Sequence, residues 1–140
     1  TAEGEIQIAA PPETVWAVLT ELRAWPTWNS DVQSMAFDGP LAPGSTFRWK
    51  AGSTSLTSTL RVVEAPREVG WTGTTMGIHA IHVFYLEPSD GGTRARSAES
   101  FRGLIPSVLK KYSRRVLQRG IESILASLKL EAERRAATRS

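Results

Sequence analysis

Residues 78–103 read "IHAIHVFYLEPSDGGTRARSAESFRG", and the way this stretch folds decides the rest of the chain. "SDGG" is a strong turn signal between two alternating runs, so the spacing predicts a β-hairpin. Counting outward from Ser89 and Gly92 puts His82 opposite Glu99, with Cβ atoms roughly 5 Å apart. On the second arm Thr93, Ala95, Ser97, Glu99 and Phe101 oppose Arg94, Arg96, Ala98, Ser100 and Arg102. Three arginines belong in water, so the Glu99 set is expected to face inward. The first arm is ambiguous: Ile78, Ala80, His82, Phe84 and Leu86 share one face, while His79, Ile81, Val83 and Tyr85 share the other. Both faces are apolar, so parity does not choose between them. It does separate the two histidines. They are three apart and point to opposite faces of a strand, which disfavours a two-histidine metal site.

More strands precede this hairpin. "VQSMAF" ends at the turn "DGPLAPG". "STFRWKA" sets Phe47 and Trp49 against Arg48 and Lys50, which places the aromatic pair inward. "SLTSTLRVVEA" ends at Pro66, and "EVGWTGT" puts Val69, Trp71 and Gly73 on one face. Short, closely spaced strand–turn units favour an antiparallel meander over crossover helices. "EGEIQIA" adds an opening strand through Ile6 and Ile8. After it, "PPETVWAVLTEL" reads as a helix, with Pro12 near its first position and Val15, Trp16, Leu19 and Leu22 at helical spacing. "AWPTWNSD" is a second short helix or turn, expected to break from the first near Pro26.

A long helix is expected from about Pro106 to Arg135, with Val108, Leu109, Tyr112 and Val116 on one face and Ile121, Ile124, Leu125 and Leu128 continuing beyond a bend at Gly120. Together the elements describe an α+β domain over residues 1–140. A curved antiparallel sheet of about seven strands wraps around the long C-terminal helix, and two short helices follow the first strand. Such a sheet has one apolar face for the helix to cover, with room left for an internal cavity.

Composition bounds the function. The chain has no cysteine, which excludes disulfides, thiolate metal sites and cysteine nucleophiles. No apolar run approaches a membrane span, and "TAEGEIQIAA" lacks the basic and apolar blocks of a signal peptide, so no membrane insertion and a cytoplasmic location are expected. Net charge is +3, too small to argue for nucleic acid. Six basic residues (Arg102, Lys110, Lys111, Arg114, Arg115 and Arg119) nevertheless fall between positions 102 and 119 with no acidic one. The run reads either as a solvated helix face or as a docking surface for an acidic carrier protein. It lacks the interleaved aromatics of single-strand nucleic-acid binding. A monomer or a dimer is expected.

Several stretches carry a resemblance. "IAAPPETVWAVLTELRAWPTWNSDV" has an Ala/Pro step, a Val-Trp helix and a Trp-x-x-Trp pair. "GPLAPGSTFRWK", "VVEAPREVGWTG" and "FYLEPSDGGTRARSAESFRG" follow in order. Over nearly its whole length the chain resembles the Bet v 1-like, START-related superfamily (SRPBCC), and within it the bacterial polyketide cyclase/dehydrase and lipid-transport group. The resemblance implies the helix-grip fold, and it places Phe84 and Leu86 inward, which takes His82 with them and leaves His79 at the surface. It implies binding of a hydrophobic, lipid- or polyketide-like small molecule in an internal cavity. The alternative is a polyketide cyclase or dehydratase. No cofactor and no metal are called for.

Within that frame His82 and Glu99 form a cross-strand dyad, either an acid/base pair or two groups satisfying each other. Phe47, Trp49, Trp71, Phe84, Ser97 and Phe101 are expected to line the ligand space. Trp25 and Trp28 are expected near its rim, with Asn29 as a polar contact. Val108 and Tyr112 would reach it from the long helix, while Trp16 reads as plain core.

Overall fold

The computed structural model describes the backbone over residues 2–75, 78–102 and 107–138, and side chains over 2–74, 79–100 and 114–138. Strand β1 (Ala2–Ile8) leads into α1 (Pro12–Thr20), a 3₁₀ turn (Leu22–Ala24) and α2 (Trp25–Trp28). Six strands follow: β2 (Val32–Ala36), β3 (Thr46–Ala51), β4 (Thr54–Glu64), β5 (Glu68–Thr75), β6 (Ile78–Ser89) and β7 (Gly92–Arg102). The chain closes with α3 (Ser107–Thr138).

All strand pairs are antiparallel, in the order β1-β7-β6-β5-β4-β3-β2. The meander β2–β7 is therefore local, while β1 and β2 form opposite edges. The α1–α2 connection spans the sheet from one edge to the other. Register shifts at Val32/Ser34 and Leu60/Val62 mark irregularities of the kind that bend a sheet.

The concave face and the helices bury one core. Ile8, Val15, Val18, Leu19, Trp25, Phe47 and Phe84 are inaccessible or nearly so, and α3 contributes Ile121, Leu125, Leu128 and Ala132. Gly4 lets α3 sit close: a Cβ there would meet Ile121 Cγ2 at 3.0 Å and Leu125 Cδ1 at 3.2 Å. The outer edge of β1 is closed by the same helix. The Gln118 and Lys129 side chains donate to the carbonyls of Glu3 (2.8 Å) and Gln7 (2.7 Å), and the Ala9 amide donates to Glu133 at 2.8 Å. An edge strand's free backbone groups are thus satisfied by helix side chains.

Three expectations are corrected. The first helix breaks at Glu21, and Pro26 lies in the first turn of α2, where no amide donor is needed. Trp25 is not at a rim; it is 0% exposed at the centre of the core. Val116 is 53% exposed rather than on the covered face. The buried stripe from Ile121 to Ala132, continued straight back, arrives at Leu117, so Val116 turns outward. The expected positions of Pro106, Val108, Leu109 and Tyr112 in this helix lie outside the described residues or side chains.

Candidate functional site

The β6–β7 turn sets the site. Asp90 (φ 49°) and Gly91 (φ 78°) both take positive φ, the pattern of a two-residue type I′ hairpin turn. It pairs Ser89 with Gly92 and so His82 with Glu99. Gly92 is required beside it, because a Cβ there would collide with the Ile8 carbonyl oxygen of β1. One row of paired residues runs across five strands: Ala2, Glu99, His82, Trp71 and Leu60.

His82 faces inward and His79 is exposed. The His82 Nδ1 lies 3.4 Å from Glu99 Oε2, and its Nε2 lies 2.7 Å from Ser97 Oγ. The His82 and Glu99 side chains are 12% and 19% exposed. The imidazole is stacked on Phe84 at 4.7 Å and tilted against Trp71 at 5.2 Å. Burial among these rings penalises charge on both partners. It lowers His82 from 6.5 to about 4 and raises Glu99 from 4.5 to about 7. Burial thus favours the neutral form of both groups. Ser97 and His82 are hydrogen-bonded, and Glu99 lies at ion-pair distance from the other ring nitrogen. The order of the groups is that of a serine nucleophile, a histidine base and an orienting carboxylate. Ser97, however, is fully buried and the imidazole is a weak base, so the serine is placed to orient His82 rather than to attack a substrate.

Aromatic side chains extend from this trio. Trp71 lies 5.6 Å from Phe84, 6.0 Å from Phe47 and 5.2 Å from Trp25, and Trp25 in turn lies 5.7 Å from Trp49. The indole N–H groups of Trp25 and Trp49 are occupied, donating to the Leu19 carbonyl (2.9 Å) and to Ser58 Oγ (3.0 Å). Trp49 also borders an open groove of about 300 Å³ with Met35 and Leu56. Trp28 packs against the core, and its buried Nε1 has no hydrogen-bond partner among the described residues. Asn29 is buried, and its Oδ1 accepts the Asp31 amide at 3.1 Å, an Asx turn that accounts for its polarity. The expected contributions of Phe101, Val108 and Tyr112 fall outside the described side chains.

Sequence reading missed Ser58, which lies across from Gly73 on the inward face of β4 and holds Trp49. The alternation Leu56, Ser58, Leu60 was the available signal. A Cβ at Gly73 would meet only Ser58 Oγ, at 3.6 Å, among the described atoms. Of the basic run, Arg114, Arg115 and Arg119 are exposed, while the side chains of Arg102, Lys110 and Lys111 lie outside the described residues. Among the described residues no group of three or more metal-ligating side chains gathers, and no helix is long and apolar enough to cross a membrane.

Comparison with known proteins agrees with this architecture. The protein TTHA0849 from Thermus thermophilus superposes with a TM-score of 0.80 at 19% identity, covering 94% of this chain and 95% of that one. The Zhui aromatase/cyclase from Streptomyces gives 0.77 at 17% identity, covering 96% and 93%. A START superfamily protein from Mycobacterium smegmatis gives 0.75 at 11% identity, covering 99% and 98%. At these identities the likeness establishes the helix-grip fold. No curated protein matches the sequence significantly. The family model for "Polyketide cyclase / dehydrase and lipid transport" matches residues 1–133, and the chain belongs to that family.

Proposed function

We propose that the protein binds a hydrophobic small molecule, lipid- or polyketide-like, in an internal cavity on the concave face of the sheet. One observation carries the reading. A polar trio, Ser97–His82–Glu99, sits on the inward face of the sheet against the rings of Trp71 and Phe84. Apolar walls with a few convergent polar groups are the usual make-up of a small-molecule site. Phe47, Trp49, Trp71 and Phe84 supply the walls, and Trp25 packs its ring against the first three. Native mass spectrometry of the protein purified from its source tests the reading. A lipophilic adduct that is lost on Trp71→Ala is the expected result. An adduct-free protein that also ignores added lipophilic probes would refute it.

A second reading is favoured by the position of Glu99 on the pH scale. A carboxyl raised to about 7 is matched to proton transfer near neutral pH, as a cyclase or dehydratase acting beside a carbonyl requires. His82 and Glu99 would be its acid/base pair. The exposed Arg114, Arg115 and Arg119 would then suit docking of an acidic carrier protein that delivers the substrate. Loss of turnover in both His82→Ala and Glu99→Gln, with ligand still bound, is the outcome that distinguishes catalysis from binding.

A further inference from the structure

Surface charge is paired at one end of the molecule and unpaired at the other. Beside the β4–β5 and β6–β7 turns, Arg67 meets Glu64 at 3.8 Å and Arg94 meets Glu87 at 3.5 Å. On the C-terminal half of α3, Lys129 meets Glu133 at 2.6 Å and Arg135 meets Glu21 at 2.7 Å. At the opposite end β3, β5 and β7 finish, and α3 begins, since it runs beside β1 with Gln118 at Glu3 and Lys129 at Gln7. Arg48 and Lys50 on β3 and Arg114, Arg115 and Arg119 on α3 are exposed there, and none has a carboxylate partner among the described residues. Register carries the row from Arg48 through Thr57, Thr74 and His79 to Arg102 at the end of β7, and Lys110 and Lys111 occupy the helix turn before Arg114. Glu3, Asp31 and Glu122 are the exposed carboxylates nearby. Arg48 and Lys50 border the 300 Å³ groove together with Ser34, Ser55 and Thr57, and no acidic side chain lines it. Val116 stands among the three helix arginines, 53% exposed. The trio lies three residues further along β6 and β7, roughly 10 Å from this row.

We propose that this basic end docks reversibly on an anionic lipid bilayer, and that the hydrophobic ligand is exchanged there. The proposal rests on the ligand-binding reading above and adds the surface from which such a ligand comes. A lipophilic molecule partitions out of water into bilayers, so a protein that takes it up gains by meeting the bilayer directly. Unpaired lysine and arginine side chains are attracted to anionic headgroups, and the neighbouring hydroxyls of Ser34, Ser55 and Thr57 can donate to phosphate oxygens. The cations stand on two separate elements, which suits a broad counter-surface rather than a single narrow contact. Val116 favours a bilayer over an acidic protein. Its apolar side chain can meet the acyl boundary while the arginines beside it stay with the phosphates. The protein lies on the bilayer: no helix among the described residues is long and apolar enough to cross it.

Co-sedimentation with vesicles tests this. The protein is expected to bind phosphatidylcholine vesicles that contain about 30% phosphatidylglycerol, to ignore phosphatidylcholine alone, and to be released by roughly 0.5 M salt. Replacing both cations of β3, Arg48→Gln with Lys50→Gln, should weaken binding roughly 20- to 30-fold, about fivefold per cation. Val116→Ser should weaken it roughly two- to fivefold. Arg67→Gln, at the paired end, should leave it unchanged. Equal binding to phosphatidylcholine alone would overturn the proposal, as would binding indifferent to both the β3 cations and Val116. Capture of an acidic acyl carrier protein by the same cations, with no vesicle binding, would overturn it in favour of the carrier. In each of these cases the ligand-binding reading stands, because its lipophilic adduct is detected without vesicles. A protein that binds the vesicles but takes up no lipophile would refute that reading and, with it, exchange at the bilayer.

Discussion

His82 and Glu99 owe their chemistry to where they are buried rather than to each other's charge. Folding raises Glu99 to about 7, so the folded state holds that proton more tightly than the unfolded state, and the contribution to stability declines as pH rises from about 4.5 to about 7. Folding lowers His82 to about 4, so its contribution declines as pH falls from about 6.5 to about 4. Where the two intervals overlap the slopes oppose, and the intact protein is expected to show little pH dependence from this pair. Each single variant exposes the slope of the other residue. Glu99→Gln should lose stability as the solution is acidified through the histidine interval, by up to about 1.4 kcal/mol per pH unit. His82→Gln should lose it as pH rises through the carboxyl interval. Urea midpoints measured across both intervals check this. Identical pH profiles for the wild type and both variants would show that neither side chain is held away from its ordinary titration.

At the scale of elements, the hairpin and the helix clamp place the site. The β6–β7 hairpin was legible in the sequence because its turn chemistry is specific: Asp90 and Gly91 must accept positive φ, and the register then follows by counting. The inward face of β7 was legible because Arg94 and Arg96 demand water. The face of β6 was not, since both of its faces are apolar, and only family resemblance turned His82 inward. The error at Val116 has a physical source: an apolar residue on a long helix marks the covered face only in company, and the company there is Leu117, Ile121 and Leu125. Ser58 was legible only through its place between Leu56 and Leu60 on the inward face, because a hydroxyl does not itself announce burial. Gly4 provides a test of the clamp. Gly4→Val would push branched methyls into Ile121 and Leu125, and a loss of about 1–3 kcal/mol is expected. Faster hydrogen exchange of the β1 amides should accompany it, since β1 and α3 would separate together. Unchanged exchange in β1 would show that α3 does not hold that edge.

The whole molecule is a sheet bent around a helix, with its polar trio on the inside of the curve. Its convex face is a different surface. There Arg96 lies over the Tyr85 ring at 4.7 Å, and Arg94 pairs with Glu87 at 3.5 Å. The central claim is that an apolar ligand occupies the concave side and not this outer face. Nuclear magnetic resonance tests it most directly: titrate 2-acetylnaphthalene into the isotope-labelled protein and follow the tryptophan indole and His82 side-chain signals beside the backbone amides. The account predicts the largest shifts at the Trp71 indole, the His82 ring and the amides of Gly73 and Glu99, with Tyr85, Arg94 and Arg96 little changed. Shifts confined to Tyr85, Arg94 and Arg96, with Trp71 and His82 unmoved at saturation, would contradict it.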